Sequence, residues 1–198
     1  MKKIIIFLVV ITALWQFYNR AGEVTLGPGV KVSEVPYQKD IRSPVSRIFD
    51  DYSITDVAEF KIMAKVLSRK NYSFGRGAEL VPIDLALGWG NMSDESILEK
   101  IDISQSGRFY RWRVEAFPIP RREIETHSAN MHIIPANDAV KDSIDRIRKG
   151  DIVELSGSLV NVIHNTDNWY WNTSTTRNDV GKGACELIWV ESLVIKTL

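Results

Sequence analysis

Asn137-Asp-Ala-Val-Lys-Asp-Ser-Ile-Asp-Arg-Ile-Arg-Lys-Gly150, continuing as Asp151-Ile-Val-Glu-Leu-Ser-Gly-Ser-Leu-Val-Asn-Val-Ile-His164, is the stretch that decides the fold. Its first half reads as a helix over 138–149. Asn137 is placed to cap it, Val140, Ile144 and Ile147 form one apolar stripe, and Gly150 closes it. Asp142 with Arg146 and Asp145 with Lys149 are i,i+4 pairs in the favourable order. The second half alternates Ile152, Glu154, Ser156 and Ser158 with Val153, Leu155, Gly157 and Leu159, the period of a strand. Gly157 marks a bulge or a sharp bend. The helical stripe must pack on a sheet, and a long bent strand supplies one.

Two more strands follow, Trp169 to Asn172 and Cys185 to Ile195, joined by a polar loop over 173–183. A helix, a long bent strand and two further strands predict an α+β, β-rich fold. The C-terminal half is expected to form a small OB-like or SH3-like barrel with one flanking helix.

Upstream the signals are shorter. Residues 58–69 alternate Phe60, Ile62, Ala64 and Val66 with polar or long side chains, a strand. Asn71 to Gly77 is a polar turn. Residues 79–92 are apolar around Gly88-Trp89-Gly90, and a short helix capped by Ser93 should follow, with Asp94 and Glu95 at its positive end. Residues 108–116 form a strand with Arg111 and Arg113 on one face and Tyr110 and Trp112 on the other. Short strands are also expected at 30–33 and 131–134.

The N-terminus carries a different signal. Lys2 and Lys3 precede an apolar run from Ile4 to Tyr18. As a helix this run spans roughly 22 Å, somewhat under a hydrocarbon core of about 30 Å. Positive charge before the run predicts the N-terminus in the cytoplasm and the body outside. A clean small-x-small cleavage site does not follow, so residues 1–21 read as an uncleaved, single-pass signal-anchor in the inner membrane, a cleaved signal peptide being the rival. Residues 22–198 then form a single soluble domain, periplasmic or extracellular.

Charge and cysteine narrow the function. Lys plus Arg equals Asp plus Glu, 25 each in 198 residues, which disfavours a dedicated nucleic-acid binder. Cys185 is the single cysteine, so an internal disulfide is impossible, and burial as a small apolar residue is expected. Metal-ligand spacing and the common nucleotide and hydrolase fingerprints are absent, so no metal or cofactor is implied.

Four groups could carry a site. His127, Asn130 and His132 could supply a base or a ligand, although the histidines would face opposite sides of a strand. Cys185-Glu186 would need a nearby His to act as a nucleophile. Arg111 and Arg113, interleaved with Phe109, Tyr110 and Trp112, could bind anions or stack rings; pairing with neighbouring glutamates is the plainer alternative. Trp169, Trp171, Arg177 and Asp179 crowd one polar loop, suited to a glycan or a peptide.

Three segments, 84–94 (Asp-Leu-Ala-Leu-Gly-Trp-Gly-Asn-Met-Ser-Asp), 128–135 (Ser-Ala-Asn-Met-His-Ile-Ile-Pro) and 183–190 (Gly-Ala-Cys-Glu-Leu-Ile-Trp-Val), resemble an uncharacterised family of bacterial envelope proteins with an N-terminal hydrophobic segment. The resemblance spans most of residues 25–191 and implies an envelope location; it carries no activity over. The expectation is a non-catalytic, membrane-anchored envelope module that binds a protein partner or an envelope polymer. The alternatives are a hydrolase using His127 or His132 with a carboxylate or Cys185, and a nucleic-acid-binding barrel if the body is cytoplasmic.

Overall fold

The structure, a computed structural model, describes residues 11, 22–167, 169–176, 181 and 183–197. The expected signal-anchor at 1–21 lies, apart from Ile11, outside the described residues. Among the described residues no helix is long and apolar enough to cross a membrane.

The chain is β-rich, with a large mixed sheet and, among the described residues between 22 and 197, three short α-helices. Among the described residues the longest element is β3 (Tyr52–Asn71). Twenty residues of alternating character let this strand serve two partners. Its first two-thirds pair antiparallel with β8 (Ile152–His164), and its last third with β4 (Ile83–Gly88). Register shifts at 56/58 and 66/68 turn the strand between those partners. From β4 the pairing continues to β7 (Ser128–Pro135), then parallel to β10 (Glu186–Lys196), then antiparallel to β8 and back to β3. Five strands therefore close on themselves. The ring begins at Tyr52, well upstream of the C-terminal half expected to contain it, because β3 pairs with strands on both sides. Three small strands extend the sheet: β1 (Tyr37–Asp40) and β2 (Ser46–Phe49) against β3, and β9 (Tyr170–Trp171) against β8.

The main core takes one face from each ring strand: Phe60 and Ile62, Leu85 and Leu87, Met131 and Ile133, Leu155 and Leu159, Ile188 and Val190. Helix α3 (Asp138–Arg146) covers this core with Val140 and Ile144, joined by Ile147 just beyond its end. Asn137 caps it by accepting from the Val140 N–H at 3.0 Å. The helix stops three residues before the expected end, and the expected ion pairs do not form. Arg146 donates to Ser143, Lys149 reaches Glu23, and Gly150 adopts a φ of 91°. A Cβ at Gly150 would lie 1.8 Å from the Val24 carbonyl oxygen, so glycine is required there. Gly157 also marks a close approach, since its Cβ would lie 1.9 Å from the Trp189 carbonyl oxygen. The register shift sits opposite it, in β10 between Val190 and Ser192.

Two upstream expectations change. Residues 30–33 form no strand; the Lys31 and Val32 N–H groups both donate to Ser93 Oγ at 3.0 Å. That use of Ser93 moves the cap of α1 (Glu95–Leu98) to Asp94, which accepts from Ser96 N at 2.9 Å. The strand expected at 108–116 is β6 (Phe109–Arg113), with Arg111 and Arg113 exposed and Tyr110 and Trp112 half-buried. It pairs with β5 (Asp102–Ser106) as a separate hairpin. Helix α2 (Arg121–Thr126) follows. Hairpin and α2 cover the outside of the ring, where Ile103, Tyr110, Trp112 and Ile124 pack with Leu67 and Ala86.

Candidate functional site

Strand β7 divides its side chains cleanly. Ala129, Met131 and Ile133 join the main core, which leaves Ser128, Asn130 and His132 on the outer face. Pairing with β4 sets Asp84 beside His132. His132 Nδ1–H donates to Asp84 Oδ1 at 2.8 Å, and both side chains are buried. That bond fixes the proton on Nδ1, and Trp171 packs on the imidazole at 4.6 Å.

The same carboxylate oxygen receives Arg108 Nη1–H at 2.8 Å. Arg108 occupies the tip of the β5–β6 hairpin, where Gly107 and Arg108 have φ of 58° and 68°. Two positive values are what a two-residue hairpin turn needs, but a side chain pays strain there that glycine does not. The surroundings hold it in place. Arg108 Nη2–H donates to the Val81 carbonyl at 2.9 Å, and the guanidinium lies 3.6 Å from the Tyr72 ring centroid. The Arg108 N–H donates to Tyr72 Oη, and its carbonyl accepts from Asn130 Nδ2 at 3.2 Å. Burial, followed by the nearby Asp84 carboxylate, pushes the Tyr72 phenol up from its ordinary value near 10. Asp84 Oδ2 is buried with no hydrogen-bond partner among the described residues. A buried acceptor left so costs about 1–3 kcal/mol.

Beside this cluster lies a half-open cleft of about 430 Å³. Its walls are β6, α2, the first half of β7 and the segment leading into β10. Asn130 lies on both the cleft and the buried cluster: it accepts from Gln105 Nε2 at 2.6 Å and approaches Cys185 Sγ at 3.8 Å. Cys185 is half-buried in the cleft wall, against the burial expected from the sequence. The polar entry into β10 leaves it at the mouth of the apolar strand.

The other sequence-predicted residues separate. Arg111 lines the cleft. Arg113 points to solvent and pairs with Asp102 at 3.0 Å. His127 ends α2, with Nδ1 3.2 Å from the Glu123 carbonyl oxygen, and packs against Trp89 and Gly90. His127 and His132 therefore serve different partners, and neither is among the described residues lining the cleft. Trp169 packs on Tyr52, Trp171 and the Arg76 guanidinium in the second apolar cluster. Arg177 and Asp179 lie outside the described residues. Arg108 as an anchor, and Gln105 and Tyr72 as its neighbours, were missed; the signal was Gly107 between two alternating runs, the mark of a two-residue hairpin. Among the described residues no group of three His, Cys, Asp or Glu could hold a metal ion.

Comparison with protein-family models, with curated proteins and with solved structures gives no match.

Proposed function

We propose that the protein is a non-catalytic, membrane-anchored envelope module that binds a ligand or partner in the cleft beside β6. The ring is read as a barrel of OB type rather than SH3 type. Numbering its strands 1 to 5 along the chain, the order is 1-2-3-5-4 and back to 1, with a helix between the third and fourth. Barrels of this type commonly bind polymers on the face of strands two and three. Here the hairpin and Arg108 occupy that face, and the open volume lies between hairpin, α2 and β10. This displacement, with a net charge of zero, favours a discrete envelope ligand over a nucleic-acid strand.

The observation that carries the reading is the cleft: pocket-sized, walled by the aromatic and arginine side chains of β6, and floored by the amide of Asn130. The hydrolase reading has less behind it. The histidine of the buried cluster, His132, is held by Asp84 and is not among the described residues lining the cleft.

The test uses the full chain in detergent micelles, titrated with soluble cell-wall fragments while tryptophan fluorescence is followed. A saturable change that Trp112→Ala removes supports the cleft as the site. Saturable binding that survives the substitution moves the site elsewhere, and no binding of any fragment removes the envelope-polymer reading. A C-terminal reporter fusion tests the location; activity only from a cytoplasm-specific reporter would reverse the orientation.

A further inference from the structure

The arginines around the cleft differ in how their charge is met. Arg108 lies on Asp84, Arg113 on Asp102, and Arg121 on Glu125 at 2.8 Å. Arg111 is different. Its Nη1 donates to the Ser106 hydroxyl at 2.6 Å and lies 3.3 Å from the Ser106 carbonyl oxygen. Among the described residues no carboxylate lies within ion-pair distance of it. Arg111 is also exposed and lines the cleft, next to the exposed ring of Phe109 at 5.4 Å. A guanidinium held at its base by Ser106, with its charge unmatched at the edge of an aromatic cleft, is arranged to receive an anion in fork geometry.

The rest of the cleft restricts what carries that anion. Trp112 and Phe109 line it with rings, and Thr126 Oγ1, which donates to the Arg122 carbonyl, and Asn130 Oδ1, which accepts from Gln105, each keep acceptor capacity for a ligand hydroxyl. Aromatic faces beside amide and hydroxyl groups suit a sugar ring, whose C–H face stacks while its hydroxyls and acetamido groups bond. A lipid tail would instead need a continuous apolar wall. Resting on the cleft-binding reading above, we infer that the ligand is an acidic saccharide: a sugar ring against the aromatic wall, with its carboxylate on Arg111.

The test compares two probes on the full chain in detergent: a disaccharide bearing one carboxylate, with an N-acetylmuramyl residue, and its neutral counterpart built from N-acetylglucosamine alone. The acidic probe should bind at least about tenfold tighter. Arg111→Gln should weaken the acidic probe by about tenfold and leave the neutral one unchanged, whereas Arg113→Gln should change neither. Circular dichroism and urea midpoints verify that both variants fold. Equal affinity for the two probes, or equal loss in both variants, overturns the acidic ligand while leaving a saccharide cleft standing. If neither disaccharide binds and phosphatidylglycerol vesicles bind in an Arg111-dependent way, the anion is a lipid headgroup and the inference is wrong. If no probe binds at all, the inference and the cleft-binding reading fall together.

Discussion

Lys65 with Glu95 and Arg108 with Asp84 are both ion pairs that tie an irregular stretch of chain to the ring, yet they finish their bonding differently. Glu95 Oε1 accepts from Lys65 Nζ and from the Leu26 N–H, both at 2.7 Å, and Oε2 accepts from the Gly27 N–H at 2.6 Å. Each of its oxygens is used, and the lead-in chain is strapped across the foot of β3. Asp84 instead places Arg108 and His132 on one oxygen and leaves the other buried without a partner among the described residues. Structural devices tend toward full satisfaction; a half-satisfied carboxylate under a strained Arg is tolerated where geometry serves another purpose. Here that geometry sets the hairpin carrying β6, and β6 is a wall of the cleft.

The comparison breaks most visibly by removing one cation from each pair. Arg108→Ala removes the cation from a wholly buried carboxyl group, so urea unfolding should show a loss of about 3–5 kcal/mol. Lys65→Met leaves Glu95 two backbone N–H donors and should cost less, about 2–3 kcal/mol. A smaller loss for Arg108→Ala than for Lys65→Met would mean that the Asp84 cluster is wetter than the geometry implies. The comparison sharpens if Arg108→Ala also weakens cleft binding and Lys65→Met does not.

Acid offers a finer test of the strap. Burial pushes the Glu95 carboxyl up, but the Leu26 N–H, Lys65 and the Gly27 N–H outweigh it and hold the carboxyl below its ordinary value of 4.5. A depressed folded value means that the contribution is complete above the unfolded value and disappears as pH falls through the folded one. Other carboxyls titrate in the same range, among them Glu154, drawn down to about 2 by Lys196 and Lys61. The informative quantity is therefore the stability difference between wild type and Glu95→Gln. It should hold steady from pH 7 to about 5 and shrink below 4.5. A difference that grows on acidification would show that Glu95 is not held as a carboxylate.

What the sequence disclosed follows from the range of the forces. Alternation in β3 and β8, the α3 stripe and the Asn137 cap are local, and each appears where the residues imply it. Closure of the ring is not local. It depends on β3 having two partners, which no window of a few residues contains. The cap moved from Ser93 to Asp94 because a chain segment some sixty residues earlier claims the Ser93 hydroxyl. In the site, Arg111 and Asn130 were legible as chemistry-bearing types, and both reach the cleft. The histidines were read as one group although β7 commits His132 to Asp84 and α2 holds His127. Arg108 begins the strand expected at 108–116; only the turn geometry with β4 beneath it reveals an anchor.

The smallest effects distinguish the two tethered segments most cleanly. Gly27 lies in the strap with φ 76° and Gly107 at the hairpin tip with φ 58°, and a Cβ at either would meet nothing within 4 Å. Alanine at each position therefore adds backbone strain without a clash, about 1 kcal/mol in the left-handed region. Gly27→Ala and Gly107→Ala should thus shift the urea midpoint by similar small amounts. Their effects on ligand should differ. Strain at Gly107 is transmitted to Arg108 and along β6 to Arg111, four residues away on a two-stranded hairpin, whereas strain at Gly27 reaches Glu95 and Lys65 on the outside of β3. A severalfold loss of cleft affinity in Gly107→Ala beside an unchanged Gly27→Ala would place the hairpin turn among the elements that shape the cleft. Equal affinities would mean that the Asp84 anchor holds β6 firmly enough to absorb the strain, and that its unsatisfied oxygen is a cost of stability alone.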